Sequence, residues 1–131
     1  MTIRRAACSC DQLHLTAEGE PYRTSMCHCL ACQRRTGSPF GAQARFRRHQ
    51  VAVEGRSSAF VRTADSGNTI EFHFCPHCVA TVYYLPAAEP DAIAVPICAC
   101  ADPTCPAPRV SVYESRRHPW VSVRDVDEHF G

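Results

Sequence analysis

The chain has 131 residues, of which 45% are hydrophobic and 21% charged, so it fits a single globular domain over residues 1–131 rather than a disordered chain. Lys plus Arg total 14 and Asp plus Glu total 13, and the resulting net charge of +1 argues against a dedicated nucleic-acid or membrane-surface binder. No apolar run approaches the ~20 residues that a membrane span needs. We therefore expect neither a nucleic acid nor a membrane as a partner.

Short runs in which apolar and polar residues alternate recur along the chain, and this period of two is typical of half-buried strands. In chain order, strands are predicted at residues 13–17, 40–46, 69–74, 81–85, 92–97 and 110–113. Turns are predicted at residues 18–21, 66–68 and 86–90, where Gly, Pro and Asn occur. The one predicted helix is short and covers Leu30 to Arg35. The pattern predicts an all-β fold of the sandwich or barrel type.

Cysteine is unusually abundant, with 10 residues in the chain, whereas all 14 basic residues are Arg. The absence of Lys excludes Schiff-base chemistry on a lysine amine. Because no export signal is visible near the amino terminus, we expect a cytoplasmic, reducing location. In such a location dense cysteines bind metal more often than they form disulfides.

Seven of the cysteines fall into three closely spaced groups, which are Cys8 with Cys10, Cys27 with Cys29 and Cys32, and Cys75 with Cys78. Zinc binds thiolates at about 2.3 Å, and sulfurs two or three positions apart on a tight turn can converge on one ion. A structural zinc takes four protein ligands, whereas a reactive zinc takes three and keeps one position open. The two pairs together therefore match a four-ligand structural zinc site, and the triplet matches a three-ligand site with one open position. Spacing alone also allows the triplet to share an ion with the first pair.

The segment that begins at Cys27 has a more specific resemblance. Residues 27–40 have the sequence CHCLACQRRTGSPF, with a C-x-C pair upstream and the sequence FCPHC at residues 74–78 downstream. This arrangement resembles the glutathione-dependent formaldehyde-activating enzyme family, also called the GFA or CENP-V/GFA domain. Later segments, DP at residues 102–103 and PWV at residues 119–121, extend the resemblance to about the whole chain.

The resemblance implies an Mss4-like zinc-binding β fold of short antiparallel strands with little helix, and two Zn²⁺ ions per chain. It implies a structural zinc on Cys8, Cys10, Cys75 and Cys78 and a catalytic zinc on Cys27, Cys29 and Cys32. It also implies a carbon–sulfur lyase of the S-(hydroxymethyl)glutathione synthase type, with glutathione as the thiol and formaldehyde or another small aldehyde as its partner. On this hypothesis the thiol occupies the open position as a thiolate and then adds to the aldehyde.

A binding protein without catalytic activity is the alternative to this enzyme. Thiols and formaldehyde form adducts spontaneously, so a zinc-stabilised module without turnover is the main alternative. Such a module would bind a thiol or glutathione at the triplet, or would serve protein interaction, because a fold does not determine a function.

Two positions depart from the family pattern. Glycine usually follows the first and the last cysteine pair, but here these positions are Asp11 and Val79. Glycine at such a turn commonly supplies a left-handed backbone, which Asp tolerates and a β-branched Val adopts poorly. Either the last turn is reshaped or Val79 is strained.

Several other residues near the motifs receive weaker predictions. His28 and His77 are expected to lie in a second layer or at the surface rather than to act in catalysis. Arg34 and Arg35 follow the triplet, where they either hold a substrate carboxylate, offset the charge of the zinc site or lie in solvent.

Trp120 is predicted to be an aromatic residue of the core or of its rim. The last three cysteines are predicted to fill apolar space rather than to bind metal; they are Cys98, Cys100 and Cys105.

Overall fold

The computed structural model describes residues 1–131, which form eleven strands and one short α-helix. The strands are β1 Ile3–Ala7, β2 His14–Glu18, β3 Arg23–Cys27, β4 Gly41–Arg47, β5 Val51–Glu54, β6 Ser58–Thr63, β7 Thr69–Phe74, β8 Thr81–Pro86, β9 Ala92–Pro96, β10 Val110–Val112 and β11 Glu128–His129. The helix α1 is Leu30–Thr36, and single 3₁₀ turns occupy Arg48–Gln50, Ile97–Cys100 and Glu114–Arg116. No helix has the length and apolar character of a membrane span.

The strands form two sheets. The smaller sheet has the order β1-β2-β5, and the larger has the order β11-β10-β3-β4-β9-β8-β7-β6. Pairing is antiparallel throughout except at β10, which runs parallel to both β3 and β11. The predicted mainly β class of short antiparallel strands with little helix is confirmed, apart from the parallel pairing of β10.

The main core lies between the smaller sheet and one face of the larger sheet. It consists of two cysteines and of apolar side chains from β1, β2, β4, β8, β9 and the residue just before β2. Its members are Ala6, Cys8, Leu13, Leu15, Ala17, Ala44, Phe46, Cys75, Val82, Ile93 and Val95. Leu13, Leu15 and Ala17 alternate with polar residues and are at most 2% exposed, as their period of two predicts.

The opposite face of the larger sheet carries a different row of side chains. Directly paired residues lie on the same side of a sheet, and the register aligns Arg23 with Arg45, Arg45 with Ala94, Ala94 with Tyr84, and Tyr84 with Phe72. Phe72, Tyr84 and Ala94 form a separate small apolar cluster on this face. The strand register therefore determines which side chains line the surface described below.

The sequence locates most of the larger sheet but misses several strands. The predicted segments at 13–17, 40–46, 69–74, 81–85, 92–97 and 110–113 match strands within one residue at each end, and the predicted helix is α1. Strands β1, β3, β5, β6 and β11 were not predicted, because they lack a sustained alternation of apolar and polar residues.

Candidate functional site

The structure brings the two cysteine pairs together into one cluster. The Sγ atoms of Cys8, Cys10, Cys75 and Cys78 all lie within 4.8 Å of one another. The Cys8 and Cys10 sulfurs are 3.7 Å apart, and the Cys10 and Cys75 sulfurs are 3.6 Å apart. Cys8 and Cys10 follow β1, whereas Cys75 and Cys78 follow β7, so the four-cysteine cluster brings these two turns together. Two of its members, Cys8 and Cys75, also belong to the main core.

Hydrogen bonds to sulfur favour an ionised thiol within this cluster. Burial opposes ionisation of Cys75, which is 0% exposed, but donors around it lower its pKa to about 5. The amide of Gln12 donates to Cys75 Sγ at 3.0 Å, and the backbone N–H groups of His77 and Cys78 donate at 3.3 and 3.5 Å. Donors that favour a thiolate also favour a metal ligand, because cysteine binds metal as the thiolate.

Both departures from glycine lie in left-handed backbone. Asp11 has φ 72° and Val79 has φ 68°. Asp11 tolerates this conformation and forms an ion pair with Arg5 at 2.7 Å. Val79 is β-branched and 67% exposed, so no burial of its side chain offsets the strain. Of the two alternatives for the last turn, the structure shows the strained one.

Replacing Val79 by Gly is expected to stabilise the protein. Removing a left-handed L-residue relieves about 1–2 kcal/mol, and the extra chain entropy of Gly costs about 0.5–1 kcal/mol. The free energy of unfolding should therefore rise by up to about 1.5 kcal/mol, or a few degrees in Tm. Val61→Gly is the matched control, because Val61 is exposed in β6 without a positive φ and should lose stability. A Tm of Val79→Gly at or below the wild-type value would contradict this account.

The triplet forms a second, separate cluster. The Sγ atoms of Cys27, Cys29 and Cys32 lie within 4.8 Å of one another. Cys27 ends β3, Cys29 caps the amino end of α1 and Cys32 lies in the first turn of that helix. The Cys29 sulfur accepts a hydrogen bond from the Cys32 N–H at 3.4 Å, so the same atom caps the helix and faces the cluster.

Ionisation within the triplet is unequal. A hydrogen bond from the Cys27 thiol lowers the pKa of Cys32 to about 5 despite the burial of Cys32, and the Cys29 thiol and the Arg35 guanidinium add to this effect. The same hydrogen bond, together with burial, raises the pKa of Cys27. Arg35 is held close to the triplet because Gly41 leaves room for it: a Cβ at Gly41 would lie 2.9 Å from Arg35 Nη2 and 3.7 Å from Cys32 Sγ.

The carboxyl-terminal part of the chain supports the triplet from behind. Strand β10 pairs Val112 with Cys27, and the His28 N–H donates to the Val112 carbonyl at 3.1 Å. His28 is 0% exposed, and a hydrogen bond of 3.1 Å joins its Nε2 to Ser111 Oγ. Burial lowers the pKa of His28, so a neutral imidazole is favoured. His28 thus lies behind the triplet, and its hydrogen bonds connect the turn between Cys27 and Cys29 to β10.

A cavity of about 790 Å³ opens beside the triplet on the outer face of the larger sheet. This volume is within the range of about 300–1,000 Å³ that is usual for small-molecule sites. The three triplet cysteines line it together with Ser25 and Gln43, the aromatic residues Phe72 and Tyr84, and arginines at positions 23, 34, 35, 45, 62 and 116. The arginines at 23, 45, 62 and 116 were not singled out in the sequence, because only the strand register and chain topology bring them to the triplet.

Other predictions have mixed outcomes. His77 is exposed, as expected, and its Nε2 lies 2.7 Å from Arg56 Nη2. Trp120 was predicted for the core or its rim, and this is wrong: it is 71% exposed and stacks on His118, with ring centroids 5.1 Å apart. The chain beyond β10 forms no apolar core for it to join.

The last three cysteines do not join either cluster. Cys100 packs against the main core, as predicted, and Cys105 is half-buried. Cys98 is exposed, so the expectation that it fills apolar space is wrong. Its position in a 3₁₀ turn at the surface explains the difference.

The donor sets of both clusters fit zinc. Four converging sulfurs suit a closed structural site, and three sulfurs beside a cavity suit a site with an open position. The protein is therefore a mainly β protein of the Mss4-like type with two cysteine clusters that could hold metal ions. Ligation by these individual residues stays a prediction.

The chain belongs to the GFA family. The profile of this family, described as "Glutathione-dependent formaldehyde-activating enzyme", matches residues 3–116. This match confirms the resemblance that the cysteine motifs indicated.

A crystal structure of a Rhodobacter sphaeroides protein is similar in fold. It superposes with a TM-score of 0.54 at 19% sequence identity, over 71% of this chain and 84% of that chain. No match to the chain was found among curated proteins.

Proposed function

We propose that this protein is a zinc-dependent carbon–sulfur lyase of the S-(hydroxymethyl)glutathione synthase type. Its substrates are a thiol, glutathione, and a small aldehyde, which is formaldehyde or another small aldehyde, and residues 1–131 act as one domain. The observation that supports this proposal most directly is the convergence of three thiol sulfurs, rather than four, at the wall of a cavity large enough for a small peptide.

The proposed reaction forms one carbon–sulfur bond and one O–H bond, and it needs no oxidant or reductant. The thiol sulfur attacks the aldehyde carbon, the carbon–oxygen π bond breaks, and the proton lost by the thiol is balanced by one gained at the new hydroxyl oxygen. The reverse reaction cleaves the carbon–sulfur bond and returns the thiol and the aldehyde.

The proposal assigns distinct tasks to the residues around the cavity. Cys27, Cys29 and Cys32 would hold the ion, and Arg35 would offset part of the negative charge of three thiolates. Zinc bound there supplies a soft cation that favours the ionised form of a substrate thiol. His28 positions the turn that carries two of these cysteines, because it is buried against Ser111. Cys8, Cys10, Cys75 and Cys78 would hold a structural zinc.

Exchange spectroscopy by NMR tests the proposed turnover. With glutathione and formaldehyde at equilibrium, catalytic amounts of zinc-loaded protein should accelerate exchange between free thiol and adduct by at least about tenfold, which corresponds to a barrier about 1.4 kcal/mol lower. The control is free Zn²⁺ at the same concentration. If exchange is no faster than in the control while the protein binds glutathione stoichiometrically, the enzyme assignment is wrong and a thiol-binding module is supported instead.

A further inference from the structure

The cavity concentrates positive charge that the rest of the chain does not share. Six of its lining residues are arginines, whereas only two lining side chains are carboxylates, Asp65 and Glu89. Glu89 is already engaged, because it forms an ion pair with Arg45 and accepts a hydrogen bond from Tyr22 Oη at 2.5 Å. The whole chain has a net charge of only +1, so the remainder of the protein is on balance negative.

Two of these arginines lie beside the same aromatic ring. The guanidinium carbon of Arg35 is 4.9 Å from the centroid of Phe72 and 5.4 Å from that of Tyr84, and the guanidinium carbon of Arg62 is 5.4 Å from the centroid of Phe72. Neither arginine forms an ion pair with a carboxylate of the chain, although the Arg35 guanidinium also interacts with the Cys32 thiol. Both guanidinium groups are positively charged and line the same cavity, so an anion in the cavity would offset their charge.

The buried polar atoms without a hydrogen-bond partner lie on the same surface. There are four such side-chain atoms in the chain, and three belong to cavity-lining residues: Arg35 Nε, Gln43 Oε1 and Arg45 Nε. Buried polar groups are nearly always paired in folded proteins, so their concentration here points to a polar ligand. A carboxylate suits an arginine pair because it accepts several charge-assisted hydrogen bonds at once.

We propose that Arg35 and Arg62 bind a carboxylate of the substrate over Phe72, so that the cavity selects substrates that carry a carboxylate besides the reacting group. This inference rests on the proposed function and specifies its substrate class. The position of Arg35 next to Cys32 places the anion site at the side of the triplet, and Arg62 extends it along β6. The carboxylate can belong to the thiol or to the aldehyde, and the two sources are separated by experiment.

Calorimetric titration of the zinc-loaded protein with glutathione and with its diethyl ester tests the site. We expect the diester, in which both carboxylates are blocked, to bind at least about tenfold more weakly, the usual effect of losing a hydrogen bond to a charged group. In Arg62→Gln the affinity for glutathione should fall by a similar factor, and the preference for glutathione over the diester should shrink. Comparing both ligands in both proteins separates the arginine–carboxylate contact from the added bulk of the ester, because the bulk is the same in wild type and variant. Arg62→Lys should restore part of the preference, because it keeps the charge without the planar fork.

Arg47→Gln is the matched control. The guanidinium carbon of Arg47 also lies over an aromatic ring, 4.0 Å from the centroid of Tyr22, and also has no ion pair, but Arg47 does not line the cavity. Its substitution should leave the preference for glutathione over the diester unchanged. An equal loss in Arg47→Gln and Arg62→Gln would overturn the proposal, because the effect would then be general electrostatics.

A second arm compares aldehydes. If the aldehyde supplies the carboxylate, glyoxylate should bind more tightly than acetaldehyde when a neutral thiol is present, and Arg62→Gln should remove this difference. That result would support the anion site and would identify the aldehyde as the source of the carboxylate. If neither the thiols nor the aldehydes show an Arg62-dependent preference for the anionic form, the anion site is wrong, while accelerated exchange would still support the proposed function. If no thiol binds and exchange is not accelerated, both are wrong.

Discussion

Cys75→Ala is expected to unfold the domain. Cys75 is fully buried, belongs to the main core and belongs to the four-cysteine cluster. A structural zinc contributes about 10–16 kcal/mol of apparent binding free energy to folding, whereas a whole domain is stable by about 5–15 kcal/mol. Loss of one of four ligands should therefore remove cooperative thermal unfolding and near-UV circular dichroism. Wild-type protein should contain two zinc ions per chain, and the residual protein at most one.

Two controls separate loss of metal from loss of packing. Cys98→Ala removes an exposed cysteine outside both clusters and should keep two ions and the wild-type Tm. Exhaustive chelation of the wild-type protein removes metal without removing any side chain from the core, and it should reproduce the unfolding. If Cys75→Ala keeps two zinc ions and unfolds within a few degrees of wild type, the assignment of the structural site is wrong.

Cys29→Ala is expected to abolish turnover and leave the fold intact. Cys29 is the least buried of the triplet, and its cluster lies beside the cavity rather than in the main core. The variant should contain one zinc ion instead of two, and exchange between glutathione and its adduct should fall to the rate of free solution. Stability should fall by only about 1 kcal/mol for the lost helix cap, plus any stability that the missing ion supplied. Zinc analysis, circular dichroism and exchange spectroscopy on one preparation measure all three effects.

Cys29→Ser distinguishes the two tasks of this residue. A serine hydroxyl is a good helix cap but a poor substitute for a thiolate, so the serine variant should recover the cap and still lack the second ion. Accelerated exchange at the wild-type rate in either variant would show that the triplet is not the reacting site.

The parts of the site that depend on local sequence could be predicted. Cys27, Cys29 and Cys32 lie within one turn, so their convergence follows from spacing. The two distant pairs converge as well. Spacing alone left open whether the first pair shares an ion with the triplet, and it was the family resemblance that implied this grouping. The strained Val79 was one of the two alternatives that the sequence left open, since a β-branched residue occupies a position that favours a left-handed backbone.

The parts that depend on strand order could not be predicted. Strand β10 inserts beside β3 in parallel, although most of the chain between them belongs to other strands, and this insertion buries His28 against Ser111. Arg62 reaches the cavity because β6 is the far edge of the larger sheet and its register with β7 places Arg62 opposite Ile70. Such long-range pairing leaves no trace in the local pattern around Arg62, which is why the basic cavity was missed.

The two faces of the larger sheet have different roles. Side chains that face the smaller sheet hold the domain together, whereas their immediate neighbours in each strand, such as Gln43 and Arg45 beside Ala44, point to the cavity. A change at a cavity position therefore need not disturb packing one residue away. Relatives that keep both cysteine clusters but exchange the basic lining would be expected to process differently charged molecules on an unchanged frame.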